Sequence, residues 1–379
     1  MKIVIAPDSF KESLSALETA HAIERGFRSI LPNAEYMKIP MADGGEGTVQ
    51  SMVDATGGHI VNQVVTGPLG EPVEAFFGML GDGQTAVIEM SAASGLHLVP
   101  PEKRNPLVTT SRGTGELMLA ALDKGATHLI IGLGGSATND GGAGMMQGLG
   151  ASFLDSEGLE LLPGGGSLHR LASIDLTHLE PRLHATQLEV ACDVDNPLTG
   201  ERGASAVFGP QKGADEEMVR LLDKNLSHFA HVVENQLNVS ICDEAGAGAA
   251  GGLGASLIGF LHADLQRGIN IVLNAVHFDE VIKDADLVIT GEGRIDQQTI
   301  YGKTPIGVAK AAKKFDIPVI GIAGSISKDS EIVHIHGIDA LFSIVPGITT
   351  LSDAIQEASL NVERTARNIA SLITIGNQK

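Results

Sequence analysis

The sequence predicts an α/β protein in which a discontinuous Rossmann-like domain, built on a parallel sheet, holds an inserted α+β domain. Short, continuously apolar strands alternate with helix-period segments at both ends of the chain, as in a parallel sheet covered on both faces. Between the two ends, turns rich in Gly and Pro join successive strands, which indicates antiparallel hairpins. The 379 residues exceed the roughly 250–300 that one core usually serves, so two domains are expected.

We assign residues 1–62 plus 284–379 to the Rossmann-like domain. The apolar run Ile3–Ala6 precedes a loop and a helix, and Ser15 and Glu18 fit a capping box at the start of that helix. A second short strand and a second helix follow. The C-terminal part repeats this order and ends in a long helix, with apolar strands predicted at 286–290, 318–323 and 340–345.

The inserted α+β domain is assigned to residues 63–283. Three strands joined by the turns GPLGEP and GDGQ are predicted within 59–90, and helices then alternate with Gly-rich loops. These loops lie at 132–144, 162–167 and 246–254. Because glycines let successive backbone N–H groups converge on an anion, we expect this domain to bind phosphate.

Composition and charge exclude several classes of function. The formal net charge of −20, without runs of Lys or Arg, argues against nucleic-acid and anionic-membrane partners. No run of about 18 apolar residues predicts a membrane span, and the start MKIVIAPDSF lacks the core of an export signal. Cys192 and Cys242 lack metal-ligand spacing, so we expect ordinary buried thiols. We therefore expect a cytoplasmic protein, for which a homodimer is a possible assembly.

The loop GLGGSATNDGGAG at 132–144 is the better candidate for phosphate, because it follows the apolar strand HLIIG. Its Gly134, Gly135 and Ser136 would bind the nucleotide. Thr138 and Asn139 could add donors, and Asp140 could hold a metal. A tight strand-to-helix turn without a ligand is the alternative.

The loop at 246–254 contains the dinucleotide-binding spacing of three glycines, but an acidic residue about twenty positions later, at a strand tip, is missing. For Gly248, Gly251 and Gly252 two interpretations stay open: a helix N-terminus that binds phosphate, and close packing of the chain through small residues.

Polar side chains follow the predicted parallel strands, at the sheet edge where ligands gather in open α/β folds. Phosphoryl transfer needs oxygen ligands for Mg²⁺, a cation for the moving group and often a carboxylate that accepts the hydroxyl proton. Each of these side chains alone could instead be a helix cap or a solvated loop residue. The candidate carboxylates and cations are Asp8, Lys11, Asp43, Glu46, Asp193, Asp195, Glu292, Arg294, Asp296 and Lys303, with Asn196 beside them.

No Walker A, HRD or DFG motif occurs, which argues against a P-loop enzyme and a protein kinase, and neither GxSxG nor HExxH is present. The runs APDSFKESLSA, PMADGGEGT, GLGGSATNDGG, ACDVDNPLTG, FGPQKGA, GAGAAGGLGA and TGEGRIDQQTIYGK do resemble those of bacterial glycerate kinases that make 2-phosphoglycerate. They span nearly the whole chain. The resemblance implies a two-domain enzyme with a cleft site, ATP and Mg²⁺, and D-glycerate as acceptor in glyoxylate or aldaric-acid breakdown.

The resemblance implies that Asp8, Ser9, Lys11, Asp43, Glu46, Asp193, Asn196, Glu292 and Asp296 lie around the cleft, and the roles of single residues are inferred from their chemistry. We expect Lys11, Asp193 and Asp296 to be catalytic, Asp8, Ser9 and Arg294 to bind substrate, Gly134, Gly135, Ser136, Gly248, Gly251, Gly252 and Lys303 to bind ATP, and Asp43, Glu46, Asp193 and Glu292 to bind Mg²⁺. Two other classes of function stay open. One is an NAD(P)-dependent hydroxy-acid dehydrogenase that uses GAGAAGG, and the other is a non-catalytic metabolite sensor.

Overall fold

The computed structural model describes residues 1–376, which form two compact units. The first unit comprises residues 1–43, 50–57 and the chain from 269 onward, and the second comprises 44–49 and 58–268. These borders differ from the predicted ones at 62/63 and 283/284. The strand that begins at His59 pairs inside the second unit, and the helices after Gly268 pack within the first.

Strands and helices are distributed over the whole described chain. The strands are β1 Lys2–Ile5, β2 Glu35–Lys38, β3 His59–Thr66, β4 Pro72–Met79, β5 Thr85–Glu89, β6 His128–Gly132, β7 Ser152–Leu154, β8 Ser173–Asp175, β9 Gln187–Ala191, β10 Asp264–Gln266, β11 Leu287–Ile295, β12 Val319–Ile326 and β13 Ala340–Ser343. The α-helices are α1 Ala16–Arg28, α2 Thr48–Thr56, α3 Ser91–Ser94, α4 Arg112–Asp123, α5 Ala143–Gly148, α6 Ala204–Phe208, α7 Glu216–Leu237, α8 Leu253–Leu261, α9 Gly268–Ala275, α10 Phe278–Ile282, α11 Thr304–Lys313, α12 Leu351–Gln356 and α13 Ala358–Gly376. Short 3₁₀ helices include Pro210–Lys212, Ala249–Gly251 and Gln297–Tyr301.

The first unit is built on a five-stranded, entirely parallel sheet in the order β13-β12-β11-β1-β2. Numbered within the unit, this is the doubly wound order 2-1-3-4-5, in which ligands bind where β1 and the third strand, here β11, lie side by side. Helices α1 and α13 pack together beside the sheet. Gly26 permits their close approach, because a Cβ there would lie 2.3 Å from the carbonyl oxygen of Glu363.

The second unit contains a six-stranded mixed sheet in the order β10-β9-β6-β5-β4-β3. Strands β5, β6, β9 and β10 are parallel, whereas β3, β4 and β5 form antiparallel pairs, so the predicted hairpins are confirmed. Its core includes three neighbouring rings, Phe153, Phe229 and Phe260. The carboxyl ends of β5, β6 and β9 lie at one edge, and the loop at 132–144 leaves from β6 at that edge.

Two local predictions can be compared with the structure directly. The capping box is confirmed, because the Glu18 N–H donates to Ser15 Oγ at 3.2 Å and the Ser15 N–H donates to Glu18 Oε2 at 2.9 Å. The predicted end of the strand at residue 290 is wrong, because β11 continues to Ile295 and its residue Arg294 pairs with Ser325 of β12. Within residues 1–376, no helix has both the length and the apolar character that a bilayer crossing needs.

Candidate active site

The first unit brings together carboxylates from three neighbouring strands: Asp8 follows β1, Asp43 follows β2, and Glu292 lies in the second half of β11. Beyond β1, the Asp8 N–H donates to the Gly291 carbonyl of β11 at 2.8 Å, which keeps Asp8 beside Glu292. Beyond β2, the Met41 N–H donates to the Pro7 carbonyl at 3.0 Å, and the charge of the nearby Asp43 acts on Asp8. Three predicted site residues therefore lie at the place where a doubly wound sheet binds its ligand.

Asp8 is a buried carboxylate with two short hydrogen bonds. Its Oδ2 accepts from Thr304 Oγ1 and its Oδ1 accepts from the Ser9 N–H, both at 2.6 Å, while the residue is only 9% exposed. Burial, and then the neighbouring charge of Asp43, raise the pKa of Asp8 to about 6 despite these bonds. A carboxylate in this state can exchange a proton near neutral pH.

Glu292 is the second buried carboxylate, at 8% exposure. Its Oε1 accepts from Thr299 Oγ1 at 2.8 Å, and its Oε2 lies 3.5 Å from Lys303 Nζ. Burial raises its pKa to about 7, and the positive charge of Lys303 opposes this shift. Lys303, expected at the ATP phosphates, is thus paired with a carboxylate in this structure.

Lys11 and Ser9 belong to the loop after β1. Lys11 is exposed, and its positive charge acts to lower the pKa of Asp8. Its backbone nitrogen lies 3.6 Å from the position of a Cβ on Gly293, so the loop runs close to β11. Ser9 is half-buried and contributes its N–H to Asp8. Both residues therefore lie beside the carboxylate pair, with the lysine accessible to a ligand.

Arg294 and Asp296 form an ion pair, with 3.1 Å between Nε and Oδ2. Asp296 also caps the 3₁₀ helix Gln297–Tyr301, since its Oδ1 accepts from the Gln298 N–H at 2.9 Å. The Arg294 side chain is 68% exposed. Asp296, expected to be catalytic, thus has a structural role in this geometry, whereas the guanidinium remains open to solvent.

The Gly-rich loop after β6 is anchored from inside by Asp140. Its carboxylate accepts hydrogen bonds from Ser111 N–H and Oγ, both at 2.8 Å, and from the N–H groups of Gly142 and Gly144 at 3.1 and 3.3 Å. The expectation that Asp140 could hold a metal is therefore not supported, because four donors occupy its oxygens. Burial raises its pKa, and the hydrogen bonds from Ser111 and the glycines oppose the rise.

The apex of the same loop faces solvent. Gly134 and Gly135 are exposed, and their N–H groups have no protein acceptor within residues 1–376. Gly135 has φ +71°, a left-handed conformation that favours glycine. Next to them, Ser136 is buried, and its Oγ accepts from Lys212 at 2.8 Å. Two predicted phosphate-binding glycines thus have donors available.

The glycines of the loop at 246–254 have a different role. A Cβ on Gly248 would lie 2.2 Å from the Pro197 carbonyl, and one on Gly251 would lie 2.0 Å from the Thr138 carbonyl. The N–H groups of Gly248 and Gly252 already donate to the carbonyls of Asn196 and Ala249. The structure therefore favours close packing, the alternative that the sequence left open, for these three predicted ATP ligands.

The other two predicted Mg²⁺ ligands, Glu46 and Asp193, belong to the second unit and are exposed. Asp193 accepts from the Gly268 N–H at 3.3 Å. Close to Glu46 is Glu89, which the sequence analysis missed. Glu89 is buried at the end of β5 and accepts from the backbone N–H groups at 47–49, with 2.9 Å to Val49. Burial raises its pKa, and the hydrogen bonds from the start of α2, which oppose this rise, give Glu89 the character of a helix cap.

Comparison with known proteins identifies the family. A model described as the glycerate kinase family matches residues 3–374. The chain belongs to this family. It is 69% identical over 375 residues to glycerate kinase of Bacillus subtilis (strain 168), covering 99% and 98% of the two chains. It is 61% identical over 376 residues to glycerate 2-kinase of Escherichia coli (strain K12), covering 99% of each. A crystal structure described as glycerate kinase 2 from Salmonella typhimurium LT2 superposes with a TM-score of 0.93 at 60% identity, covering 100% of both chains.

The family membership confirms the resemblance inferred from the sequence, and with it the predicted α/β fold class and the assignment to the kinases. Another residue of this glycerate kinase family member was missed by the sequence analysis. Lys212 is buried at 1% exposure, and its Nζ donates to Ser136 Oγ and to the Thr138 carbonyl. The run FGPQKGA could have indicated this residue, because its lysine lies in a turn rich in Gly and Pro.

Kinases of this kind imply a divalent cation, and the first unit offers donors that fit Mg²⁺. Within residues 1–376, no group of three or more acidic, His or Cys side chains is arranged to hold a metal alone. Mg²⁺ commonly needs only one or two carboxylates, because water and phosphate oxygens complete its shell. Asp43 meets this requirement: its charge raises the pKa of the neighbouring Asp8, a repulsion that a cation held by Asp43 would relieve.

Proposed function

We propose that this family member transfers the γ-phosphoryl group of ATP to the 2-hydroxyl of D-glycerate, giving 2-phosphoglycerate and ADP. The observation that carries the proposal is the pair of buried carboxylates, Asp8 and Glu292, beside Lys11 and Lys303 at the switch point of the first unit. The B. subtilis and E. coli relatives are named as kinases of glycerate, which supports glycerate as the acceptor. We further propose a cytoplasmic reaction in glyoxylate or aldaric-acid breakdown.

Proton acceptance from the glycerate hydroxyl is assigned to the Asp8–Glu292 pair. A general base works best when its pKa lies near the working pH, and burial raises these two pKa values to about 6 and about 7. Asp296, the earlier candidate, is engaged as a cap and by Arg294. We therefore propose that Asp296 orients Arg294, whose exposed guanidinium binds the glycerate carboxylate in a bidentate manner.

Lys11 is assigned to the moving phosphoryl group or to glycerate itself. A compact ammonium on an exposed loop suits a group that changes position during transfer, and its charge already acts on Asp8. Ser9 fixes Asp8 through its N–H and borders the same loop. Loss of Lys11 should therefore reduce turnover far more than stability.

The ATP phosphates are assigned to the second unit, at the exposed N–H groups of Gly134 and Gly135 next to Ser136. Asp43 is the candidate Mg²⁺ ligand of the first unit, and Glu46 and Asp193 are candidates in the second. When bound, Mg²⁺ would neutralise charge on the phosphate oxygens. No observation favours the dehydrogenase, because the glycines that it would use are packed against the chain.

The test is an assay of ADP release with and without D-glycerate, together with identification of the phosphorylated carbon. We expect ADP release to depend on glycerate and the product to carry phosphate at C2.

The variant Lys11→Ala should lower kcat/KM by about 100-fold or more, because it removes a cation from the transition state. Lys310→Ala, an exposed lysine on α11, is the matched control and should keep full activity. Binding of ATP and glycerate without turnover would instead support the sensor, and a fully active Lys11→Ala would contradict the role of Lys11.

A further inference from the structure

Lys212 lies beneath the Gly-rich loop and is buried almost completely, which is rare for lysine. It ends the short 3₁₀ helix Pro210–Lys212, far from the loop in sequence. Its Nζ donates to Ser136 Oγ at 2.8 Å and to the Thr138 carbonyl at 2.6 Å, which uses two of its three N–H donors. One ammonium therefore ties together two residues directly after the exposed glycines.

Burial of this amine is costly, because water no longer solvates its charge. Asp140 is the carboxylate whose negative charge acts on it, yet that carboxylate is occupied by Ser111 and the glycine N–H groups. Two other polar atoms of the loop, Thr138 Oγ1 and Asn139 Oδ1, are buried without a partner within residues 1–376. A site that buries an amine without a carboxylate hydrogen-bonded to it, and that leaves polar atoms unpaired, is not explained by stability alone.

We propose that Lys212 is a positioning residue for ATP: it fixes the loop so that the N–H groups of Gly134 and Gly135 stay available to the phosphates, and it places a positive charge under them. The inference rests on the proposed function of this loop. An anion above the loop would supply the negative charge that the buried ammonium lacks. The lysine thus acts through the loop and not by contact with the reacting atoms.

The test compares Lys212→Met with Lys224→Met, an exposed lysine on α7 in the same unit. We expect Lys212→Met to raise the KM for ATP by about 10-fold or more, the usual value of a hydrogen bond to a charged group, and to change the KM for glycerate less than about twofold. Lys224→Met should change neither constant. A lowered melting temperature with an unchanged KM for ATP would overturn the inference, as would a change confined to the KM for glycerate.

The wild-type protein provides a second test that does not depend on the folding of a variant. Burial lowers the pKa of Lys212 to about 7, so the free protein holds this amine largely neutral at higher pH, and ADP must restore its proton. The carboxylate whose charge acts on the amine is that of Asp140, which four hydrogen-bond donors hold in place. ADP affinity should therefore fall by up to about tenfold per pH unit between pH 8 and 9.5. A constant affinity would overturn the inference.

The two proposals fail in different ways. If the wild-type protein releases no ADP in response to glycerate, the proposed function is wrong. If it does so and Lys212→Met keeps the wild-type KM for ATP, only the role of Lys212 is wrong.

Discussion

At the residue scale, Asp8 shows how a functional position differs from a structural one. A carboxylate that served stability would have a lowered pKa, as Glu18 does through the hydrogen bonds of its capping box. Burial and the charge of Asp43 instead raise the pKa of Asp8, so its charged form opposes folding. Groups held at such a cost concentrate in active sites, because activity and not stability maintains them.

This cost predicts the behaviour of Asp8→Asn. The folded-state pKa of about 6 lies above the value of 3.8 in an unfolded chain, so the wild-type protein loses stability as the pH rises through this window. The neutral amide does not titrate. Relative to wild type, Asp8→Asn should gain up to about 3 kcal/mol by pH 7 and nothing below pH 4, while activity falls by about 100-fold or more.

Thermal unfolding from pH 4 to pH 8 without divalent cations measures the stability part, and the glycerate-dependent assay measures the activity. The control is Asp286→Asn, an exposed acid near the N-terminus of the chain. A stability difference that stays constant with pH would contradict the raised pKa of Asp8.

Single residues differed in how far the sequence could reveal them. Asp8 and Lys11 follow β1, and Glu292 lies in the second half of β11, so the rule that ligands gather at strand ends made all three candidates. Lys212 could not be selected in this way, because its partners Ser136 and Thr138 lie about 75 positions away. Asp296 was selected as a strand-end acid, but the hydrogen bond by which it caps a 3₁₀ helix is visible only in three dimensions.

At the scale of elements, the loops at 132–144 and 246–254 have similar composition and different surroundings. The first exposes its apex, whereas the second packs its glycines against carbonyls of neighbouring loops. Composition alone could not separate the two, because glycine serves both for close approach of backbones and for ligand binding. The close approach of Gly251 to the Thr138 carbonyl distinguishes the two loops, because it shows that the loop at 246–254 packs against the loop at 132–144.

This difference predicts the effect of Gly251→Ala. A Cβ there would lie 2.0 Å from the Thr138 carbonyl oxygen, and the residue has φ +71°. Gly70→Ala is the matched control, since Gly70 has φ +86° but no atom within 4 Å of the added Cβ. The control should lose about 1 kcal/mol of stability from strain, and Gly251→Ala should lose about 3 kcal/mol or more. Chemical denaturation measures both, and equal losses would contradict the packing role.

At the scale of the whole molecule, the sequence predicted the discontinuity but not the neighbours of each strand. Strands β1 and β11 are about 280 residues apart and nevertheless pair in register, with Ile3 opposite Leu287. This pairing creates the switch point and brings Asp8 to Glu292. Apolar character predicts that both strands are buried, yet it carries no information on which strand lies beside which. The position of the candidate site in the sheet therefore follows from the strand order and not from the sequence alone.

A nucleotide or metal that binds the folded protein and not the unfolded chain should be visible in the stability of the intact protein. A ligand at 100 times its dissociation constant adds about 2.7 kcal/mol to the unfolding free energy, which corresponds to a rise of several degrees in the melting temperature. We expect this rise with ADP and Mg²⁺, a smaller rise with ADP and a chelator, and none with NADH.

Asp43→Asn should lose the part of the rise in melting temperature that depends on Mg²⁺, because the substitution removes a charged oxygen ligand. Glu331→Gln, which changes an exposed acid of the same unit, should retain it. A rise in melting temperature with NADH and none with ADP would support the dehydrogenase instead. If Mg²⁺ still stabilises Asp43→Asn as it does the wild type, Asp43 is not a metal ligand.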